Sequence, residues 1–348
     1  MNNLKKIKIH FIGIGGIGMS GIAELMLDLG YQIQGSDLNN NSNIQRLKKR
    51  GVKFFNKHKK ENINDVSAVV FSSAIKKNNP EILQSEKLSI PLISRADMLG
   101  ELMRHKKSIA VAGSHGKTTT TSLVGAIFDN ANFDPTIING GIINSYSKNN
   151  RYGKGDWMIV EADESDGSFL RLPHQINIIT NIDKEHLDYY KSKKNLLSAF
   201  SHFINNLPFY GCSIICIDSL NLKNLSKKIK TRKIITYSIN QNSDVKIKLL
   251  NKNDRFNEFL LIFKKGLISN IEGNFQFKLN LLGNHNILNA TGAIISSLIA
   301  KVPLKNIQKS LFEFEGVKRR FTFLGKIKKA SIYDDYAHHP TEIKASYD

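Results

Sequence analysis

Two cysteines among 348 residues, Cys212 and Cys216, leave no disulfide framework to stand in for a hydrophobic core. They lie four apart in the apolar stretch CSIIC, where a strand puts both on one face as small buried residues, and this usage suits a reducing cytoplasm. Also missing is any run approaching the ~18 apolar residues that suggest a membrane span. The start, MNNLKKIKIHFIGIGG, turns glycine-rich just where a signal peptide would continue its apolar stretch, so export is not expected. Internal repeats and low-complexity blocks are absent. Acidic residues are scarce, 30 against 50 Lys and Arg, for a formal charge of +20. The lysines are spread with Ile and Asn along the whole chain, and clusters such as Lys57-His58-Lys59-Lys60 lack interleaved aromatics. The charge therefore reads as a solvated background favouring small anionic substrates, with nucleic-acid binding the least favoured class.

What is present is length and rhythm. The chain is too long for one ordinary core, and two or three domains are expected. Short apolar runs followed by glycine and then an amphipathic stretch recur, the pattern of α/β units with parallel strands. Strands are expected at 7–12 (IKIHFI), Val66–Phe71, Ser108–Ala112, Trp157–Val160, Ile176–Thr180, Cys212–Ile217 and Ser331–Asp334. Helices are expected around His285–Lys301 and Leu304–Phe314, with a helix and basic connector over 94–107. The first boundary falls near residue 105.

Two of the strands run into phosphate-type loops. Gly13, Gly15 and Gly18 satisfy GxGxxG after the first strand, with Asp37 ending the next at about the ~20-residue offset of a dinucleotide fingerprint. The physics asks only for a tight turn and a helix N-terminus aimed at a diphosphate, so any nucleotide diphosphate satisfies it. The second loop, GSHGKT (Gly113 to Thr118), lacks the first glycine of the usual P-loop, where Val111 stands. Its glycines let backbone N–H groups converge on phosphate, Lys117 supplies charge for the β and γ phosphates, and the Thr118 hydroxyl suits Mg²⁺. Glu161 and His186 sit at the exits of two further strands, the sheet edge where ligands collect. Asp163, Glu164 and Asp166 form an acidic cluster equally compatible with a solvated loop.

In order along the chain, IHFIGIGGIGMSGIAE, GSHGKTTTT, EADESDGSFL, TNID with EHLD, LLGNHNILNA, GVKRRF and YDDYAHHPTEI closely resemble the Mur ligase family. The resemblance covers essentially the whole chain, and that family characteristically carries the shorter GxxGK[ST] loop. It implies a Rossmann-like UDP-sugar-binding domain over 1–105, a central ATP-binding P-loop domain over 106–323, and the incomplete start of a third α/β domain over 324–348. It places the sugar nucleotide on Gly13, Gly15, Gly16, Gly18, Ser36, Asp37, Ser72 and Ser73. ATP falls on Gly113, Ser114, His115, Gly116, Lys117, Thr118, Thr119, His285, Asn289 and Arg320, and Mg²⁺ on Thr118, Glu161 and His186. Lys117, His186 and Arg320 are the implied catalytic groups, while Asp335, Tyr336 and His338 match the opening of the third domain.

The implied activity is ATP-dependent joining of L-alanine to the lactyl carboxylate of UDP-N-acetylmuramate through an acyl phosphate, in peptidoglycan precursor synthesis. Two anions must be brought together, so positive charge from Mg²⁺, Lys117 and Arg320 carries the chemistry, with no covalent enzyme nucleophile. Beside this reading stand a sibling that adds an intact peptide to the same nucleotide sugar, and a nucleotide-binding remnant suggested by the short third domain. An NAD-dependent oxidoreductase rests on GxGxxG alone and leaves GSHGKT, Glu161 and His186 without a role.

Overall fold

A computed structural model describes residues 7–143, 148–252, 256–317, 322–327, 330–335, 337 and 343. The chain divides into two compact units, Met1–His105 and Lys106–Asp348.

The first unit alternates strand and helix: β1 (Lys8–Ile12), α1 (Ile17–Asp28), β2 (Gln32–Ser36), α2 (Ser42–Lys49), β3 (Lys53–Phe55), β4 (Ala68–Phe71), α3 (Pro80–Lys87), β5 (Leu92–Ser94) and α4 (Arg95–Arg104). Its strands form one sheet in the order β3-β2-β1-β4-β5, every neighbouring pair parallel. The apolar run of β1 is buried because helices cover both faces of such a sheet; Phe11 and Ile12 are fully enclosed. Local signals start the helices. The Asn41, Asn79 and Ser94 side chains accept N–H groups at the starts of α2, α3 and α4, and Pro80 occupies the first position of α3, where a missing N–H costs nothing.

The second unit is built on a 10-stranded sheet ordered β15-β14-β13-β12-β11-β10-β6-β9-β7-β8. The strands are β6 (Lys107–Ala112), β7 (Thr136–Ile143), β8 (Lys148–Arg151), β9 (Trp157–Glu161), β10 (Ile176–Ile179), β11 (Cys212–Cys216), β12 (Lys233–Ser238), β13 (Val245–Lys252), β14 (Asn257–Ile268) and β15 (Ile271–Leu279). Between and after them come α5 (Lys117–Asn130), α6 (Leu187–Tyr190), α7 (Lys193–Asn205), α8 (Leu220–Ser226), α9 (Asn284–Ile299) and α10 (Leu304–Glu313). A separate antiparallel pair, β16 (Thr322–Ile327) and β17 (Ala330–Asp334), follows.

From β13 through β12, β11, β10, β6 and β9 to β7 the pairing is parallel. The α5 and α9 helices share one buried cluster with these strands, including Ile109, Val111, Leu123, Phe128, Ile178, Ile294 and Leu298. The two cysteines are buried and free, and burial pushes the Cys216 thiol up to about 12. They are packing residues.

The expected parallel rhythm fails at both edges of the sheet, where β7–β8 pair antiparallel at one end and β13 to β15 at the other. Strand β14 alternates buried with part-exposed positions over Asn257–Phe263. That alternation is the mark of a sheet covered on one face only.

Candidate active site

In the first unit β1 lies between β2 and β4, so the turn after it opens where the strand order reverses, the place ligands occupy in such sheets. Gly13 turns the chain there at φ +79°, with Ser72 beside it, 3.3 Å from the position a Cβ would take. The Gly13 and Ile14 N–H groups both donate to Ser36 O, at 2.8 and 3.1 Å. Gly15 N–H donates to Asp37 Oδ2 at 2.9 Å, while its carbonyl accepts from Asn41 and Asn43. Asp37 Oδ1 accepts from Asn39 N–H. One oxygen of the acid that a dinucleotide fold would turn to a ribose therefore serves the glycine loop and the other the segment after β2. Gly16 caps α1 without a side-chain hydrogen bond, which leaves first-turn N–H groups for an anion. The guanidinium of Arg95 lies against Gly18, its Nη1 2.8 Å from where a Cβ would stand. Ser73 follows Ser72 on the exposed segment after β4.

In the second unit β6 lies between β10 and β9, and Gly113 to Gly116 lead from it into α5. Gly113 has φ +134° and Gly116 +80°. A Cβ on Gly113 would collide with Thr180 Oγ1, and one on Gly116 with Asn289 Oδ1; this is how α9 reaches the loop. The segment after β10 binds the loop from beneath. Asn181 accepts from His115 N–H at 2.9 Å and donates to His115 O at 3.0 Å, and Thr180 Oγ1 donates to the same carbonyl at 2.6 Å. Ser114 Oγ accepts from Asp183 N–H at 2.9 Å. His115 Nε2 lies 3.0 Å from Asp183 Oδ2 and 3.6 Å from Glu185 Oε1.

At the start of α5, Lys117 Nζ donates to Gly113 O at 2.7 Å and to both oxygens of Glu164, at 3.0 and 2.8 Å. The next residue, Thr118, donates from Oγ1 to Glu161 Oε1 at 3.0 Å, and Glu161 Oε2 accepts from Gly140 N–H at 2.7 Å. Thr119 is buried in the same turn. His186, at φ +56° before α6, places Nε2 3.8 Å from Glu164 Oε1. Ligand atoms of Glu164, Glu185 and His186 lie within 4.8 Å of one another.

Residues 8–107 match the Mur ligase family catalytic domain and residues 111–297 the Mur ligase middle domain. The chain belongs to the Mur ligase family. It is 50% identical over 340 residues to a UDP-N-acetylmuramate--L-alanine ligase of Methylorubrum extorquens, covering 97% of this chain and 72% of that protein. A protein of the same name from Brucella anthropi is 48% identical over 343 residues, with the same coverage. Among solved structures, UDP-N-acetylmuramate-alanine ligase MurC from Thermotoga maritima superimposes with a TM-score of 0.81 at 28% identity, over 97% of this chain and 76% of its own. A murein peptide ligase from Psychrobacter arcticus gives 0.82 at 25%, over 98% and 75%.

In this Mur ligase the metal-binding expectation divides into two groups. Thr118 and Glu161 are joined directly, whereas the measured neighbours of His186 are Glu164 and Glu185, with Lys117 bonded to Glu164. Burial opposes charge on Lys117, yet Glu164, Glu161 and Asp163 together hold its ammonium above the usual range. Burial pushes the carboxyls of Glu161 and Glu164 up. The Lys117 direction follows from a site holding more acid than one lysine neutralises, and the carboxyl directions from burial. The hydroxyl and carboxylate oxygens of Thr118 and Glu161 are donors that suit a hard divalent cation and fit Mg²⁺.

His285 opens α9, and burial lowers its imidazole below the usual range against the pull of Asp335. Asn289 lies against Gly116 one turn on. Arg320, Tyr336 and His338 lie outside the described residues.

Sequence reasoning left three residues without a role. Glu164 was legible only as one acid of EADESD, with nothing to show it as the fully buried one. Asn181 was legible only as one residue of TNID and Arg95 carried no signal, because each acts on a loop distant in sequence.

Proposed function

We propose that this Mur ligase joins L-alanine to the lactyl carboxylate of UDP-N-acetylmuramate with hydrolysis of ATP, a cytoplasmic step of peptidoglycan precursor synthesis. The observation that carries the phosphoryl chemistry is Lys117, held at the mouth of a short glycine loop beside the Thr118–Glu161 pair. The choice of alanine rests on relatives of that name about half identical over 97% of the chain.

The first unit receives the uridine diphosphate on the Gly13 to Gly18 turn. Its uncapped helix start and the nearby Arg95 guanidinium favour the diphosphate charge. In the second unit the backbone N–H groups of the Gly113 to Gly116 loop cradle the ATP phosphates. The Lys117 ammonium turns from Glu164 to the β and γ phosphates, neutralising charge as the γ-phosphoryl moves to the carboxylate. Bound Mg²⁺ would supply Lewis-acid neutralisation of the phosphates, and Thr118, Glu161 and His186 would hold it. Arg320 is assigned to the same phosphates on the family motif. The alanine amine then attacks the acyl phosphate and inorganic phosphate leaves. His285 and Asn289 are assigned to the adenine side, where α9 meets the loop. We assign residues from 324 onward to the start of a third domain.

The test is phosphate release from ATP and Mg²⁺ with UDP-N-acetylmuramate and L-alanine. Release that requires both substrates is expected. Release with an intact peptide in place of alanine would favour the peptide-adding sibling, whose fold is equally close. Calorimetric binding of NAD, without affinity for the sugar nucleotide, would overturn the assignment of the first unit.

A further inference from the structure

Behind the glycine loop of the first unit, β1, β2, the segment after β3 and α3 converge on one carboxylate. Glu81, in the first turn of α3, is fully buried. Its Oε2 lies 2.6 Å from Ser36 Oγ and 2.9 Å from His58 Nδ1. Its Oε1 lies 2.6 Å from Asn62 Nδ2 and 3.3 Å from His10 Nε2. Gln34 extends the group, its Nε2 2.8 Å from Asn62 O and 3.3 Å from His10 Nδ1. Burial alone would push the Glu81 carboxyl up; contacts from His10, Ser36 and Asn62 outweigh it and hold the group below the usual carboxylate range. The single Ser36 hydroxyl proton is directed to this carboxylate. His58 Nδ1, 2.9 Å from both Ser36 Oγ and Glu81 Oε2, therefore carries hydrogen and donates to them.

A buried carboxylate is a poor source of net stability, because leaving water costs several kcal/mol that its partners only return. What it secures is geometry. Ser36, clamped by its side chain, is the residue whose carbonyl receives both the Gly13 and Ile14 N–H groups and so sets where the phosphate turn begins.

We propose that Glu81 is a positioning residue of the sugar-nucleotide site: by clamping Ser36 and His58 it holds the glycine loop in its binding conformation before the nucleotide arrives. Glu81 acts through Ser36, whose hydroxyl is committed inward and which serves the loop through its backbone. The proposal rests on the assignment of this loop to UDP-N-acetylmuramate.

The experiment is calorimetric titration of the whole chain with UDP-N-acetylmuramate, and separately with ADP and Mg²⁺, for the unsubstituted protein, Glu81→Gln, Ser36→Ala and the double variant. Glu81→Gln keeps the volume but leaves one oxygen for donors that had two. The expected result is a Kd for the sugar nucleotide raised about tenfold, the scale of one hydrogen bond to a charged group, with ADP affinity unchanged. In the double variant Glu81→Gln adds nothing to Ser36→Ala. Asn62→Ala, which removes one donor from the opposite carboxylate oxygen, weakens binding less and remains measurable should Glu81→Gln fail to fold. Unchanged sugar-nucleotide affinity in Glu81→Gln or Asn62→Ala despite a lower melting temperature would overturn the proposal, as would additive effects of Glu81 and Ser36. No binding by the unsubstituted chain would remove the nucleotide assignment itself, and this role with it.

Discussion

Lys117 and Glu164 meet with side chains 13% and 1% exposed, so neither charge has much water to fall back on. Removing one partner of such a pair leaves the other uncompensated, at a cost of about 3 kcal/mol or more. Lys117→Ala is therefore expected to lower the melting temperature markedly, and Lys117→Ala with Glu164→Gln to recover most of it. Phosphate release should fall at least about a hundredfold in both variants, since the charge at the transferred phosphate is gone in each. A double variant as unstable as Lys117→Ala would show that the pair does not bear on stability. The lysine itself was legible in GSHGKT, because loop chemistry is local. Its partner was not: Glu164 and Asp163 are adjacent acids, and only folding buries one and exposes the other.

At the scale of elements, each glycine loop is held by a strand end that the sequence places far away. Gly113 and Gly116 have no room for a side chain against Thr180 and Asn289 and adopt left-handed backbone that other residues enter at a cost. Gly116→Ala is expected to weaken ADP–Mg²⁺ binding at least about tenfold, through strain of ~1–3 kcal/mol, as measured by calorimetry; unchanged affinity would show that the loop repacks. Glu81 gives the first unit a pH signature. Its folded pKa lies below the ordinary 4.5, so its contribution is fully present above 4.5 and is lost as the pH falls through the folded value. The melting temperature of the unsubstituted chain should exceed that of Glu81→Gln most above pH 4.5, and the gap should narrow as the pH falls below it. A gap independent of pH would refute this. The strands β1, β6, β9, β10 and β11 were legible as apolar runs before glycine or polar turns. The antiparallel edges, β7–β8 and β13–β15, were not singled out, because pairing at a sheet edge depends on which face the helices leave uncovered.

At the scale of the whole molecule, two units carry one glycine turn each, at the end of β1 and of β6. The turns should fail separately. Gly15→Val would press a side chain into Ile44 and the Asp37 carboxylate; it is expected to abolish UDP-N-acetylmuramate binding while leaving the ADP Kd within about twofold, as sites without shared partners behave. Loss of both affinities would contradict independent sites. The sequence by itself determined the α/β class, the two glycine turns and the lysine, threonine and carboxylate types that phosphate chemistry requires, because these are properties of contiguous residues. Only the tertiary structure decided which charges pair. Asp37 turns to Gly15, Lys117 to Glu164, His186 to Glu164 and Glu185, and Ser36 to Glu81. These choices depend on which strand ends lie side by side and on how little water reaches them, and strand order in a parallel sheet is set by crossovers packing over a common core rather than by any local run of residues.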